Sequence, residues 1–170
     1  MTKADLVRER LEYASNDLRV ASHMFENMHP KPLEIVCYHC QQCVEKAMKG
    51  YLIEHDVEPP YIHDLEKLCL MCMEYNTSFE SFMKQCRDMT EYAASSRYPS
   101  NEEFEEINAV LALKEAKRIY EFCIALVPHF KPDQGQELKQ EQEPEPEPEP
   151  EQEQEQEQEQ EQEQDPQQSE

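Results

Sequence analysis

The stretch CYHCQQCVEKAMKGYL, Cys37 to Leu52, sets three cysteines three residues apart around a histidine, and Cys69 and Cys72 follow in CLMC. Such a set is either a metal site or a helix that uses cysteine as a small apolar residue. At 100° per residue, Val36, Cys40, Cys43, Val44, Ala47 and Tyr51 fall within one arc, with Cys37 and Met48 at its edge. Thiolates bound to one zinc ion lie about 2.3 Å from it, whereas Cys37 and Cys43 would stand about 9 Å apart along a helix axis. No turn residue lies between Cys37 and Cys43 or between Cys69 and Cys72. Free cysteine is among the most buried residue types. Core packing is therefore the expected role, and no metal or other cofactor is expected. The competing reading is a structural zinc protein that uses Cys40, Cys43, Cys69 and Cys72.

The opposite face of the same segment carries His39, Gln42, Glu45, Lys46 and Lys49 within roughly 120° of arc. Either this is a solvated face with Glu45 and Lys49 paired at i,i+4, or it is a surface for a partner or nucleotide. In both cases its substitutions should spare folding.

Outward from this segment the pattern stays helical. Only two glycines occur, Gly50 and Gly135, and nothing in the first 130 residues alternates as strands do. Leu11, Ala14, Leu18, Ala21, Phe25 and Met28 make one stripe on a long helix that starts near Thr2 and ends at HPKP. The second helix runs from about Pro32 to His55, before EPP. A short third helix spans Asp64 to Tyr75 with Asp64 as N-cap. Thr77 and Glu80 form a capping box for a fourth helix to about Ser96. After RYPS, Ser100 and Glu103 open a fifth, which carries Ile107, Val110, Leu111, Ile119, Cys123 and Leu126 to Pro128. The expected fold is all-α: an up-and-down bundle of four long helices and one short one.

The bundle occupies residues 1–130, and residues 131–170 form a second region dominated by Glu, Gln and Pro. The formal net charge is −22. The tail contributes −14 of it, so the low pI is a property of the tail. Too little apolar surface is available there to offset the entropy of ordering, and a disordered acidic appendage that aids solubility is expected. Seven cysteines, an odd number, without an apolar N-terminal signal favour reduced thiols and a cytoplasmic location, and no segment is apolar enough for a membrane span.

In order along the chain, Tyr38, His39, Gln41, Gln42, Glu45, Lys46 and Lys49, then His63-Asp64-Leu65, then Arg97-Tyr98-Pro99 resemble the HEPN domain family over about residues 5–128. Its small prokaryotic members are often encoded with minimal nucleotidyltransferases, and relatives commonly carry a small residue where Cys40 and Cys43 stand. The resemblance implies a helical bundle that forms homodimers and acts on, or beside, nucleotides or RNA in toxin–antitoxin-like or regulatory systems. Many relatives are metal-independent ribonucleases with an Arg-x(4–6)-His motif, the arginine holding phosphate and the histidine moving a proton. No arginine here has histidine at that spacing; the nearest approach is Arg19 and His23. The expectation is a non-catalytic module with no catalytic residues, binding a nucleotidyltransferase partner or nucleotide through His39, Gln42, Glu45, Lys46, Lys49, His63, Arg97 and Tyr98. The alternative is a ribonuclease with a displaced base, His39 or His63, beside Arg97.

Overall fold

The computed structural model describes residues 1–92 and 104–131. Expectations for Arg97, Tyr98, the Ser100/Glu103 box, the end of the fourth helix and the tail from 132 lie outside the described residues.

Five α-helices form among the described residues: α1 (Lys3–Asn27), α2 (Leu33–Glu54), α3 (Leu65–Met73), α4 (Met83–Thr90) and α5 (Glu106–Ala125), with a 3-10 helix at Thr77–Phe82 before α4. This is the all-α fold expected. Thr2 opens α1 through a capping box with Asp5, and Asp64 caps α3 by accepting from the Lys67 amide. Both follow from short polar side chains that satisfy the free amides of a first turn.

The fourth helix departs from its expected start. Asn76, not Thr77, takes the cap position and accepts from the Ser78 amide, and the next six residues wind as 3-10 helix. The tighter turn drives Phe79 fully into the core, where it meets Tyr51 at 4.9 Å and Phe122 at 5.0 Å between ring centroids. Aromatic burial of this size outweighs the weaker hydrogen bonding of a 3-10 turn. On α5, Glu105 and Asn108 form the capping box.

Ion pairs and packing set the directions. Lys3 at the start of α1 donates to the Glu54 carbonyl at the end of α2, 3.0 Å, so the two helices run antiparallel. Lys31, just before α2, pairs with Glu106 at the start of α5, so α2 and α5 run the same way. α2 is thus central and packs on α1, α5 and α3. Its close approach to α1 depends on Gly50, where an added Cβ would stand 3.1 Å from Leu11 Cδ2. The inward face of α5 is small in its first half, where Ala109, Ala112 and Ala116 are buried, and larger in its second, where Ile119 and Tyr120 are.

α2 ends in a Schellman arrangement. The Val57 amide donates to Leu52 O and the Asp56 amide to Ile53 O, each 3.0 Å. Asp56 occupies the left-handed position with φ 61°, a site usually given to glycine and tolerated by Asp.

All seven cysteines are free and buried. They pack from α2, α3, α4 and α5 into one core. Cys69 Sγ donates to the Phe79 carbonyl at 3.3 Å, and Cys72 Sγ approaches the Met48 carbonyl at 3.9 Å. Among the described residues, no group of three or more His, Cys, Asp or Glu side chains is placed to hold a metal ion. Burial pushes the Cys37 thiol up to about 12, with Glu34 adding to the rise, and burial raises Cys40, Cys43 and Cys72 as well. Cys69 alone is held below the ordinary thiol value, by a hydrogen bond with Cys86, but it is as fully buried as the others, and thiols out of reach of water and reagent are poor nucleophiles. With Ellman's reagent at pH 8, the native chain should therefore react negligibly over minutes and yield all seven thiols once denatured. Fast reaction of two or more in the native state would contradict this core.

Candidate functional site

The polar face of α2 does not look into open solvent. Its side chains pack against α1 on one flank and against the segment before α3 on the other, and they form one connected hydrogen-bond network. On the first flank, Asp17 of α1 accepts from His39 Nδ1 at 2.9 Å and from Lys46 Nζ, with side-chain exposures of 15% for Asp17 and 24% for each partner. Lys46 also donates to Gln42 Oε1 at 3.1 Å. Gln42 in turn donates to Gln41 Oε1, 2.8 Å.

Gln41 carries the network across the helix. It is fully buried, and its Nε2 is shared between Glu45 Oε2 at 3.1 Å and the His63 carbonyl at 3.2 Å. Glu45, with a side chain only 7% exposed, accepts from Lys49 at 2.8 Å and from His63 Nδ1 at 2.9 Å. Lys49 also donates to the Ile62 carbonyl, 2.9 Å. A buried carboxylate is stable only with such partners, because each missing donor leaves desolvated charge uncompensated.

Of the residues expected at a site, six are therefore brought together: His39, Gln42, Glu45, Lys46, Lys49 and His63. Arg97 and Tyr98 lie outside the described residues. The expected i,i+4 pair of Glu45 and Lys49 is present, but the solvated face, one of the two alternatives, is not: α1 and residues 61–64 cover it. A helical wheel shows one helix alone and hides the second cover that α1 and residues 61–64 provide. Substitution here will disturb folding. Two members are missing from the set expected on sequence grounds. Gln41 enters there only through its motif, and Asp17 not at all, although it lies three residues after Ala14 and four before Ala21, beside the stripe of α1. An acid next to an apolar stripe at those spacings is the signal that could have found it.

The histidines differ. Both present Nδ1 to a carboxylate, which places the proton there and leaves Nε2 as the basic nitrogen. His39 is a quarter exposed, whereas the His63 side chain is 58% exposed and its Nε2 takes no hydrogen bond among the described residues. Such a pair can orient a base. Phosphate binding is less well served, since Lys46 and Lys49 already face the carboxylates of Asp17 and Glu45.

The fold is an all-α bundle whose central helix carries cysteines on one face and a bonded Gln-Gln-Glu-Lys network on the other. A family model described as HEPN domain matches residues 7–127. The chain belongs to the HEPN domain family. No curated protein and no solved structure matches it. No helix among the described residues is long and apolar enough to cross a membrane.

Burial pushes the Glu45 carboxyl up, but its bonds from Lys49, His63 and Gln41 outweigh that and hold it below the ordinary glutamate value. Its contribution to stability is therefore complete above the unfolded value, about 4.3, and is lost as pH falls through the lower folded value. Glu45→Gln should cost about 1.5–3 kcal/mol at pH 7, the range for bonds to a charged group. In urea titrations between pH 3 and 7, the gap between wild type and variant should narrow toward the acid end. A gap independent of pH would refute the role assigned to this carboxylate.

Proposed function

We propose that this HEPN domain works by association and not by catalysis: it forms a homodimer and binds a nucleotidyltransferase partner or a nucleotide in a regulatory or toxin–antitoxin-like system. The observation that carries the proposal is that Lys46 and Lys49, the two lysines of the polar face, are already neutralised by Asp17 and Glu45. A ribonuclease needs a cation free to hold the phosphate beside its base. The absence of Arg-x(4–6)-His in the sequence agrees with this.

An association surface is available nearby in the fold. Ile107, Val110 and Leu111 lie on one side of α5 with exposures of 54%, 41% and 49%, at the i, i+3, i+4 spacing of a helix that docks on another surface. Exposed apolar side chains at that spacing support contact with a second copy of the chain. His39, Gln42 and His63 at the rim of the network are proposed to add polar contacts, and Arg97 and Tyr98 are kept as binding residues on sequence grounds.

One observation favours a second reading. The exposed His63, oriented by Glu45, has the arrangement of a general base. It would serve a ribonuclease with Arg97 as the phosphate ligand.

Sedimentation velocity and an RNA cleavage assay on the same preparation decide between them. The association reading predicts a dimer, no cleavage above background, and a monomer in Ile107→Asp/Leu111→Asp with its melting temperature within a few degrees of wild type. Such surface changes ordinarily move stability by about 0.5 kcal/mol. Cleavage of RNA that His63→Ala abolishes while the dimer persists would establish the ribonuclease in its place.

A further inference from the structure

At the end of the bundle where α1 begins and α2 ends, a cleft of about 620 Å³ opens. Its volume falls within the roughly 300–1,000 Å³ of small-molecule sites. Leu6 of α1, Ile53 of α2 and Val57 of the following loop give it an apolar floor, and Pro60 and Tyr61 form a wall. The Tyr61 side chain is fully exposed, so its ring face is open to a ligand.

The loop that shapes this cleft is held in place. The Schellman cap fixes its first residues, with Asp56 in the left-handed region, and Lys3 ties it to α1 through an ion pair with Asp56 at 3.1 Å. Lys3 also donates to the Glu54 carbonyl. A loop whose first residues are set before the ligand arrives reduces the ordering that binding requires.

Charge decides the ligand class. Lys3, Arg10 and Lys49 line the cleft together with Asp56 and Glu58. Lys3 is engaged by Asp56, and Lys49 by Glu45 and the Ile62 carbonyl. Arg10 makes no ion pair or side-chain hydrogen bond among the described residues.

We propose that the cleft binds a small organic anion with one charged head group. Its flat or aliphatic body lies over Leu6, Ile53 and Val57 against the Tyr61 ring, and its head, a carboxylate or a phosphate monoester, is held by the Arg10 guanidinium. The planar fork of arginine matches both heads with two parallel hydrogen bonds. One available cation beside Asp56 and Glu58 suits a single head and disfavours a polyphosphate, whose further charges would face carboxylates. This site goes beyond the association proposed above and shares with the polar face only Lys49, whose ammonium is bonded to Glu45.

The test is a methyl NMR titration of the full chain with 2-naphthoate and 2-naphthyl phosphate, with 2-naphthol and inorganic phosphate as controls. The expected result is saturable shifts at the Leu6, Ile53 and Val57 methyls with at least one aromatic anion, the tighter of the two identifying the head group. Arg10→Glu should weaken that binding about tenfold or more, the scale of a lost bond to a charged group. Tyr61→Ala should weaken it several-fold, and both variants should keep the wild-type melting curve, since both side chains are exposed. Absence of saturable shifts with either anion overturns the proposal. So does equal binding of 2-naphthol, equal binding of inorganic phosphate, or an unchanged affinity in Arg10→Glu.

Discussion

The carboxylate of Glu45, nearly out of water and engaged by Gln41, Lys49 and His63, governs how the rest of the domain is arranged. A charge in that position requires donors from its own helix and from the segment ahead of α3 at the same time. It therefore fixes the register of residues 61–64 against α2, and with it the start of α3. Gln41 and Gln42 pass the same requirement to Lys46 and Asp17, which brings in α1. The central helix is thus held by cysteine packing on one side and by bonded charge on the other.

This arrangement narrows what the domain can do. Lysines that neutralise a buried Glu45 and a largely covered Asp17 are poor ligands for phosphate, because turning them outward would leave either carboxylate poorly solvated and unpaired. The groups left available are of a different kind: the apolar side of α5, the exposed ring of His63, and Arg10 in the cleft where α2 ends. Each suits recognition of a surface or a small molecule. The chain belongs to the HEPN domain family, matched over residues 7–127, and partner binding is the role proposed above for such recognition.

Much of the fold was legible in the sequence because its signals are local. The apolar stripe of α1 and the Asp64 cap each act within a few residues, and the cysteine arc of α2 follows from helical geometry alone. The start of the fourth helix was not legible, since the choice of 3-10 over α winding at Thr77–Phe82 depends on a pocket for Phe79 between Tyr51 and Phe122, residues distant in sequence. The site was half legible for a similar reason. The residue types of the polar face could be gathered from one helix, but whether they meet water, a ligand or another helix depends on Asp17 and residues 61–64, which arrive only on folding.

If the polar face of α2 holds the bundle together, Asp17 and Lys46 must be coupled in the stability of the fold. A double-mutant cycle of Asp17→Ala and Lys46→Ala, followed by urea unfolding at pH 7, measures that coupling. Groups in one network couple by about 0.5–3 kcal/mol, and the bonded network predicts a coupling of about 1 kcal/mol or more with each single variant destabilised. Single variants as stable as wild type, with effects that add to within about 0.3 kcal/mol, would contradict it and return the face to solvent and ligand.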